Sequence, residues 1–198
     1  MSKTVIIKYN AGNIRSVLFA LERIGVEALV TDNPDEIRAA DRVIFPGVGE
    51  ASSAMAYLRE KGLDKLIPSL TQPVLGICLG MQLMCQFSEE NNTECLGIFP
   101  LTVKQFSESN GLKVPQIGWN TISLLESPLF SLVTESTYVY FVHGYFVPLS
   151  TYTIASASYP DAYSAAIRKD NFIAVQFHPE KSGDQGEQIL RNFLRSSF

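Results

Sequence analysis

Cys78 sits inside Pro73-Val74-Leu75-Gly76-Ile77-Cys78-Leu79-Gly80-Met81-Gln82, an apolar strand pattern broken by Gly-x-Cys-x-Gly and followed by a helical stretch carrying Met81, Leu83 and Met84. This is the sulfur counterpart of a nucleophile elbow, where a strand turns sharply into a helix and holds one reactive atom at the corner. The corner crowds neighbouring backbone, and glycine two residues before and two after the cysteine removes the Cβ atoms that would collide. It also puts the sulfur at a helix N-terminus, where free N–H groups and the helix dipole favour thiolate over thiol. The chemistry such a group supports is nucleophilic catalysis. The competing reading is a buried, inert thiol, the usual fate of a free cysteine.

A thiolate catalyst needs a base, and the chain holds only two histidines, His143 and His178. His178-Pro179-Glu180 ends the apolar run Asn171-Phe172-Ile173-Ala174-Val175-Gln176-Phe177. In a parallel α/β sheet, ligands bind beyond the carboxyl ends of the strands, so Cys78 and His178 can share an edge. His178 could then take the thiol proton and return it to a leaving amine. Pro179 keeps residue 178 extended, and Glu180 could orient the imidazole as the third member of a triad. The plain alternative is a strand end with an ordinary salt-bridging glutamate. His143, within Tyr138-Val139-Tyr140-Phe141-Val142-His143-Gly144-Tyr145, reads as a packed strand residue rather than a base.

Pro46-Gly47-Val48-Gly49 follows another strand end. Its two glycines permit backbone flips, and the amide of Val48 or Gly49 could donate to an oxyanion, with the Leu79 amide as second donor. A phosphate loop would need the lysine of Gly-x-x-x-x-Gly-Lys-Ser/Thr or a Gly-x-Gly-x-x-Gly run, and neither is present. A simple turn is the other reading.

The elements that must hold these residues alternate in the first half. A buried strand at Val5-Ile6-Ile7 precedes a helix capped by Asn13, with Ile14, Val17, Leu18, Leu21 and Ile24 at helical spacing and Gly25 at its end. Strands follow over 27–30, 42–45 and 74–77, separated by a short helix begun at Pro34 and another over 52–61 stopped by Gly62. Strands separated by helices predict a mostly parallel central sheet flanked by helices, an α/β fold. From 101 to 163 the chain changes character. Short β-prone runs over 101–106, 121–124, 138–142 and 152–156 predict antiparallel strands and hairpins added to that sheet. A strand over 171–177 and a closing helix over 185–194 complete one expected domain, residues 1–198.

Composition excludes several classes. The net charge of −4 leaves no basic face for a nucleic acid. No apolar run approaches the ~20 residues that span a bilayer, and the start of the chain reads as no signal peptide. Three cysteines without Cys-x-x-Cys spacing suggest neither a disulfide frame nor a metal knuckle, so a reducing, cytoplasmic location is expected with no metal or cofactor.

The segment from Gly76 to Gln82 together with His178-Pro179-Glu180 resembles the signature of class I, triad-type glutamine amidotransferases. Within that class, five further segments resemble the amidotransferase subunits of imidazole glycerol phosphate synthases. They are Tyr9-Asn10-Ala11-Gly12-Asn13-Ile14-Arg15-Ser16-Val17, Pro46-Gly47-Val48-Gly49, Lys113-Val114-Pro115-Gln116-Ile117-Gly118-Trp119-Asn120, Tyr140-Phe141-Val142-His143-Gly144-Tyr145 and Gln176-Phe177-His178-Pro179-Glu180-Lys181-Ser182. Lys8, Asn10, Glu50 and Gly144 depart from the family's pattern.

The resemblance implies a flavodoxin-like fold, with Cys78 as nucleophile, His178 as base and acid, and Glu180 as orienting carboxylate. It implies that Gln82 and backbone at Gly49, Gly144 and Tyr145 contact bound L-glutamine, while the 46–49 loop, with Val48 and Leu79, forms the oxyanion hole. It places Asn13, Trp119, Asn120, Tyr140 and Lys181 on or near a surface facing a cyclase subunit built as a (β/α)8 barrel, which receives the ammonia in a heterodimer and serves histidine biosynthesis. Paralogues on the same frame serve surface-sugar amidation, and a non-catalytic regulatory module is the alternative of another class.

Overall fold

The structure, a computed structural model, describes residues 3–10, 13–107 and 113–196. Ala11 and Gly12 of the 9–17 segment therefore lie outside the described residues. The first half alternates as its apolar spacing predicts: β1 (Thr4–Ile7), α1 (Ile14–Arg23), β2 (Ala28–Thr31), α2 (Pro34–Arg38), β3 (Arg42–Gly47), α3 (Ala51–Glu60), α4 (Leu63–Leu66), β4 (Val74–Cys78) and α5 (Leu79–Met84). The second half runs β5 (Cys85–Ser88), β6 (Thr93–Glu94), β7 (Phe99–Gln105), β8 (Gln116–Thr121), β9 (Tyr138–His143), β10 (Tyr145–Pro148), β11 (Thr153–Ser158), β12 (Ala162–Lys169), β13 (Phe172–Val175) and α6 (Gly183–Arg195).

Among the described residues one sheet takes the order β2-β1-β3-β4-β13-β12-β10-β7-β5-β6, with β11 paired to β12. Pairing is parallel from β2 to β13. Alternation along β1 sends Val5 and Ile7 into one apolar layer, with Phe45, Met55 and Leu58. Ile6 faces the other layer, with Val17, Leu21, Ile189 and Phe193. Both faces are thus covered, as the unbroken apolar runs of β1 and β4 require.

Beside β4 lies β13, a strand almost a hundred positions later in the chain, with Val175 opposite Ile77. Because the two run parallel, the residues that follow each leave from the same sheet edge. That single pairing brings the 78 and 178 neighbourhoods together.

The helix expected after Cys78 is six residues long, because Cys85 opens β5, which pairs parallel with β7. Two expectations are corrected. The strand expected over 121–124 is instead β8, and with β9 it forms a two-stranded ribbon outside the main sheet. Its alternation explains this: Gln116 is buried while Ile117 and Trp119 point to solvent, so β8 has one covered face only. Asn13 stands at the head of α1 but makes no capping bond with its side chain, which serves the site instead.

Candidate active site

Cys78 is the last residue of β4 and the residue from which α5 springs, at φ 54° and ψ −109°. A non-glycine residue rarely holds positive φ, and such strain persists where surrounding packing over-determines it. Here the packing is explicit. A Cβ on Gly80 would lie 1.9 Å from the Phe45 carbonyl oxygen, so only glycine lets α5 pass this close to β3. The Leu79 N–H begins α5, among the N–H groups that have no intrahelical acceptor.

Gly47, opposite Cys78 in the β3–β4 register, leads into the 46–49 loop. Tyr9 donates its hydroxyl to the Pro46 carbonyl at 2.6 Å, and a Cβ at Gly47 would fall 2.0 Å from that hydroxyl. The loop next to the sulfur is thereby pinned at its root. At its other end Glu50 caps α3, accepting from the Ser52 and Ser53 N–H groups at 2.6 and 2.8 Å. Burial alone would raise the Glu50 pKa, but these N–H donors, Asn91 and the Ser52 hydroxyl hold it down to about 2.

His178 is fully buried and extended (φ −102°, ψ 93°), as the following proline requires. Its Nδ1 donates to Glu180 Oε1 at 2.7 Å, and Asn13 donates from Nδ2 to the same oxygen. Buried Nε2 has no hydrogen-bond partner among the described residues. Burial disfavours the imidazolium, but the charges of Cys78 and Glu180 outweigh it and raise the His178 pKa. The arrangement therefore favours a proton on His178.

A cleft of about 440 Å³ opens over the sulfur, lined by Val48, Gly49, Cys78, Leu79, Gln82 and residues 142–145, with Glu90 as its carboxylate. Both N–H groups of Gln82 are occupied at 3.0 Å, one by the Tyr145 carbonyl and one by Gln176 Oε1. What Gln82 can still offer a ligand is its carbonyl oxygen. Glu90 accepts from the Ala51 N–H at 2.8 Å, and burial raises its pKa. Among the described residues no group of three or more His, Cys, Asp or Glu is placed to hold a metal ion.

His143 lies in the same neighbourhood as a packed strand residue. Its Nδ1 donates to the Tyr145 carbonyl at 2.7 Å, and Nε2 faces the Gln116 carboxamide at 3.1 Å and the Tyr163 hydroxyl at 3.3 Å. Burial pushes its pKa down to about 4. A neutral ring with its proton on Nδ1 holds the Tyr145 peptide still.

Of the five residues expected at a partner surface, three cluster on the exposed side of the ribbon. Trp119 meets Tyr140 edge-on at 5.9 Å, and Lys181 Nζ sits 5.8 Å from the Tyr140 ring. Ile117 and Tyr138 extend that face, both more than half exposed. Asn120 instead donates to the Ser158 carbonyl at 3.0 Å and ties the ribbon to β11. Asn13 is turned toward His178 and Glu180.

Sequence reasoning missed Tyr9, Glu90 and Gln176 as members of the site. No motif marks their roles; only the register of β1, β3, β4 and β13 and the β5 turn bring them there.

Residues 5–197 match the family model for class-I glutamine amidotransferases. The chain is 60% identical to the imidazole glycerol phosphate synthase subunit HisH of Bacteroides fragilis, covering 97% of this chain and 98% of that one. It is 55% identical to the subunit of the same name from Bacteroides thetaiotaomicron, with the same coverage. Among solved structures it resembles a glutamine amidotransferase at TM-score 0.74 and 19% identity, over 96% of each chain. It also resembles a glutamine amidotransferase of Thermotoga maritima at TM-score 0.60 and 16% identity, over 98% of this chain and 82% of that one. Likeness at this level speaks for the fold.

Proposed function

The chain belongs to the class-I glutamine amidotransferases and, among them, to the HisH subunits of imidazole glycerol phosphate synthase; from that membership and the site's geometry we propose that it is the glutaminase of a two-subunit enzyme. L-Glutamine enters the cleft with its side-chain amide toward Cys78. Its α-ammonium pairs with Glu90, the carboxylate of the cleft, and Gln82 accepts a further hydrogen bond. The Cys78 thiolate attacks the carboxamide carbon, and the tetrahedral oxyanion is met by the Leu79 N–H and the 46–49 loop. His178 gives its proton to the departing nitrogen, releasing ammonia and leaving a glutamyl thioester. His178, now neutral, takes a proton from water, whose oxygen attacks the thioester. The C–S bond breaks, glutamate leaves, and the thiolate–imidazolium pair is restored. Glu180, steadied by Asn13, holds the imidazole in the tautomer that keeps Nε2 on the reacting side.

Ammonia protonated in water loses its nucleophilicity, so a docked recipient is part of this reading. The recipient is a cyclase subunit built as a (β/α)8 barrel, which makes imidazole glycerol phosphate and aminoimidazole carboxamide ribotide in histidine biosynthesis. It docks on the face carrying Trp119, Tyr140 and Lys181. Residues 1–198 act as one amidotransferase domain, a reading supported by the continuous sheet. A cytoplasmic site of action belongs to the same proposal; among the described residues no helix is long and apolar enough to cross a membrane.

The observation that carries the proposal is the placement of Cys78 and the His178–Glu180 pair after adjacent parallel strands. The test is glutamate release from L-glutamine by the purified chain, alone and with the cyclase subunit. Turnover in the complex is expected. No turnover under either condition would overturn the reading in favour of a non-catalytic module.

A further inference from the structure

Gln176 is fully buried on the sheet beyond β13, yet its carboxamide is polar at both ends. A buried amide without partners is costly, so its contacts carry information. Its Oε1 accepts from Gln82 Nε2 at 3.0 Å. Its Nε2 is aimed at Cys78 Sγ at 3.7 Å, a distance suited to a sulfur acceptor. A neutral thiol accepts such a bond weakly, whereas a thiolate accepts it strongly. The contact of Sγ with the Val142 carbonyl at 3.6 Å works the other way, since only the thiol can donate there. The Gln176 backbone is fixed independently, its N–H donating to the Ala165 carbonyl at 2.8 Å. The side chain therefore spans from a residue of the glutamine cleft to the nucleophile, between strands held in register.

We propose that Gln176 is a positioning residue that joins Gln82 to Cys78, donating to the sulfur with one end and orienting the cleft carboxamide with the other. The proposal rests on the glutaminase reading for the use made of the thiolate. Its structural content is separate: the Gln176 carboxamide gives the sulfur a side-chain donor of its own. Through the Gln82 bond, the same side chain fixes which face of Gln82 meets the substrate.

The groups that bear on Cys78 are His178 with Glu180, Tyr9 beside β3, and His143 and Glu90 around the cleft; a change at position 176 leaves all of them in place. The experiment is the rate of iodoacetamide modification of Cys78 against pH, followed at that cysteine by peptide mass spectrometry, in the parent and in Gln176→Met. Methionine matches the shape and removes the donor. The profile should move up by about one pH unit, with kcat for glutamine lower by about tenfold. In a second measurement, on the parent chain alone, the Gln176 side-chain ¹⁵N–¹H signal should titrate with Cys78 and stop doing so in Cys78→Ala. An unshifted modification profile in a folded Gln176→Met protein, or a Gln176 signal indifferent to Cys78, would overturn the proposal. Either result could occur in a chain that still hydrolyses glutamine, so it would leave the glutaminase reading standing.

Discussion

The two histidines show how burial and neighbours divide one side-chain type into two roles. His178 faces opposite charge and is held protonated, whereas His143 is held back by burial and by the charge of His178 and resists protonation until about pH 4. The unfolded chain protonates a histidine near its ordinary value of 6.5. Between those two values the unfolded state holds more protons, so acid favours unfolding. The stability tied to His143 is whole above 6.5 and falls as pH drops toward 4, while that tied to His178 is full below 6.5 and is lost only as pH climbs through its raised value. His143 alone should account for about 2 kcal/mol between about pH 7 and about pH 5, and His178 offsets part of it in the same window, so urea unfolding at the two values should show a smaller net loss of stability in acid. In His143→Gln the difference should shrink; an unchanged slope would remove His143 as its source. At this scale Cys78, His178 and Glu180 were legible because each lies in a short motif whose chemistry is local. Tyr9, Glu90 and Gln176 were not, because their roles depend on which strand lies beside which.

Among the elements, α3 and the ribbon carry the most consequence. Two acids from different places meet the first turn of α3: Glu50 takes the Ser52 and Ser53 N–H groups and Glu90 takes that of Ala51. The 46–49 loop and the cleft carboxylate are therefore fastened to one helix end, where the dipole favours negative charge. Glu50→Ala should cost about 1 kcal/mol, read as a lower denaturant midpoint. It should also remove the part of the acid sensitivity that sets in as pH falls from the carboxylate's ordinary value of 4.5 toward about 2. An unchanged midpoint would mean that the cap does not stabilise α3. The elements of the first half were readable from apolar spacing and from signals such as Pro34, which stands in the first turn of α2. The end of α5 and the strand β5 after it were not, because Leu83, Met84, Cys85 and Phe87 form one apolar stretch in which nothing local marks the change from helix to strand. Likewise Ala-Tyr-Ser-Ala-Ala in β12 hides a packed strand behind small residues.

In the whole molecule, the face proposed for docking and the site are joined by backbone. The His178 N–H donates to the Tyr140 carbonyl at 2.8 Å, and the Tyr140 N–H donates to Ser182 Oγ, which in turn donates to the His178 carbonyl. The ribbon that exposes Trp119 and Tyr140 thus also frames the base, and on its other edge His143 holds the Tyr145 carbonyl that Gln82 uses. This is the physical content of an enzyme built to release ammonia next to a recipient. In the proposed mechanism Cys78 supplies ammonia from glutamine and does nothing else for the product. The direct measurement is imidazole glycerol phosphate synthesis by the complex carrying Cys78→Ala, fed with L-glutamine or with an ammonium salt. Glutamine-dependent synthesis should be lost while ammonium-dependent synthesis continues at the parent's rate. Glutamine-dependent synthesis that survives in Cys78→Ala would contradict that mechanism.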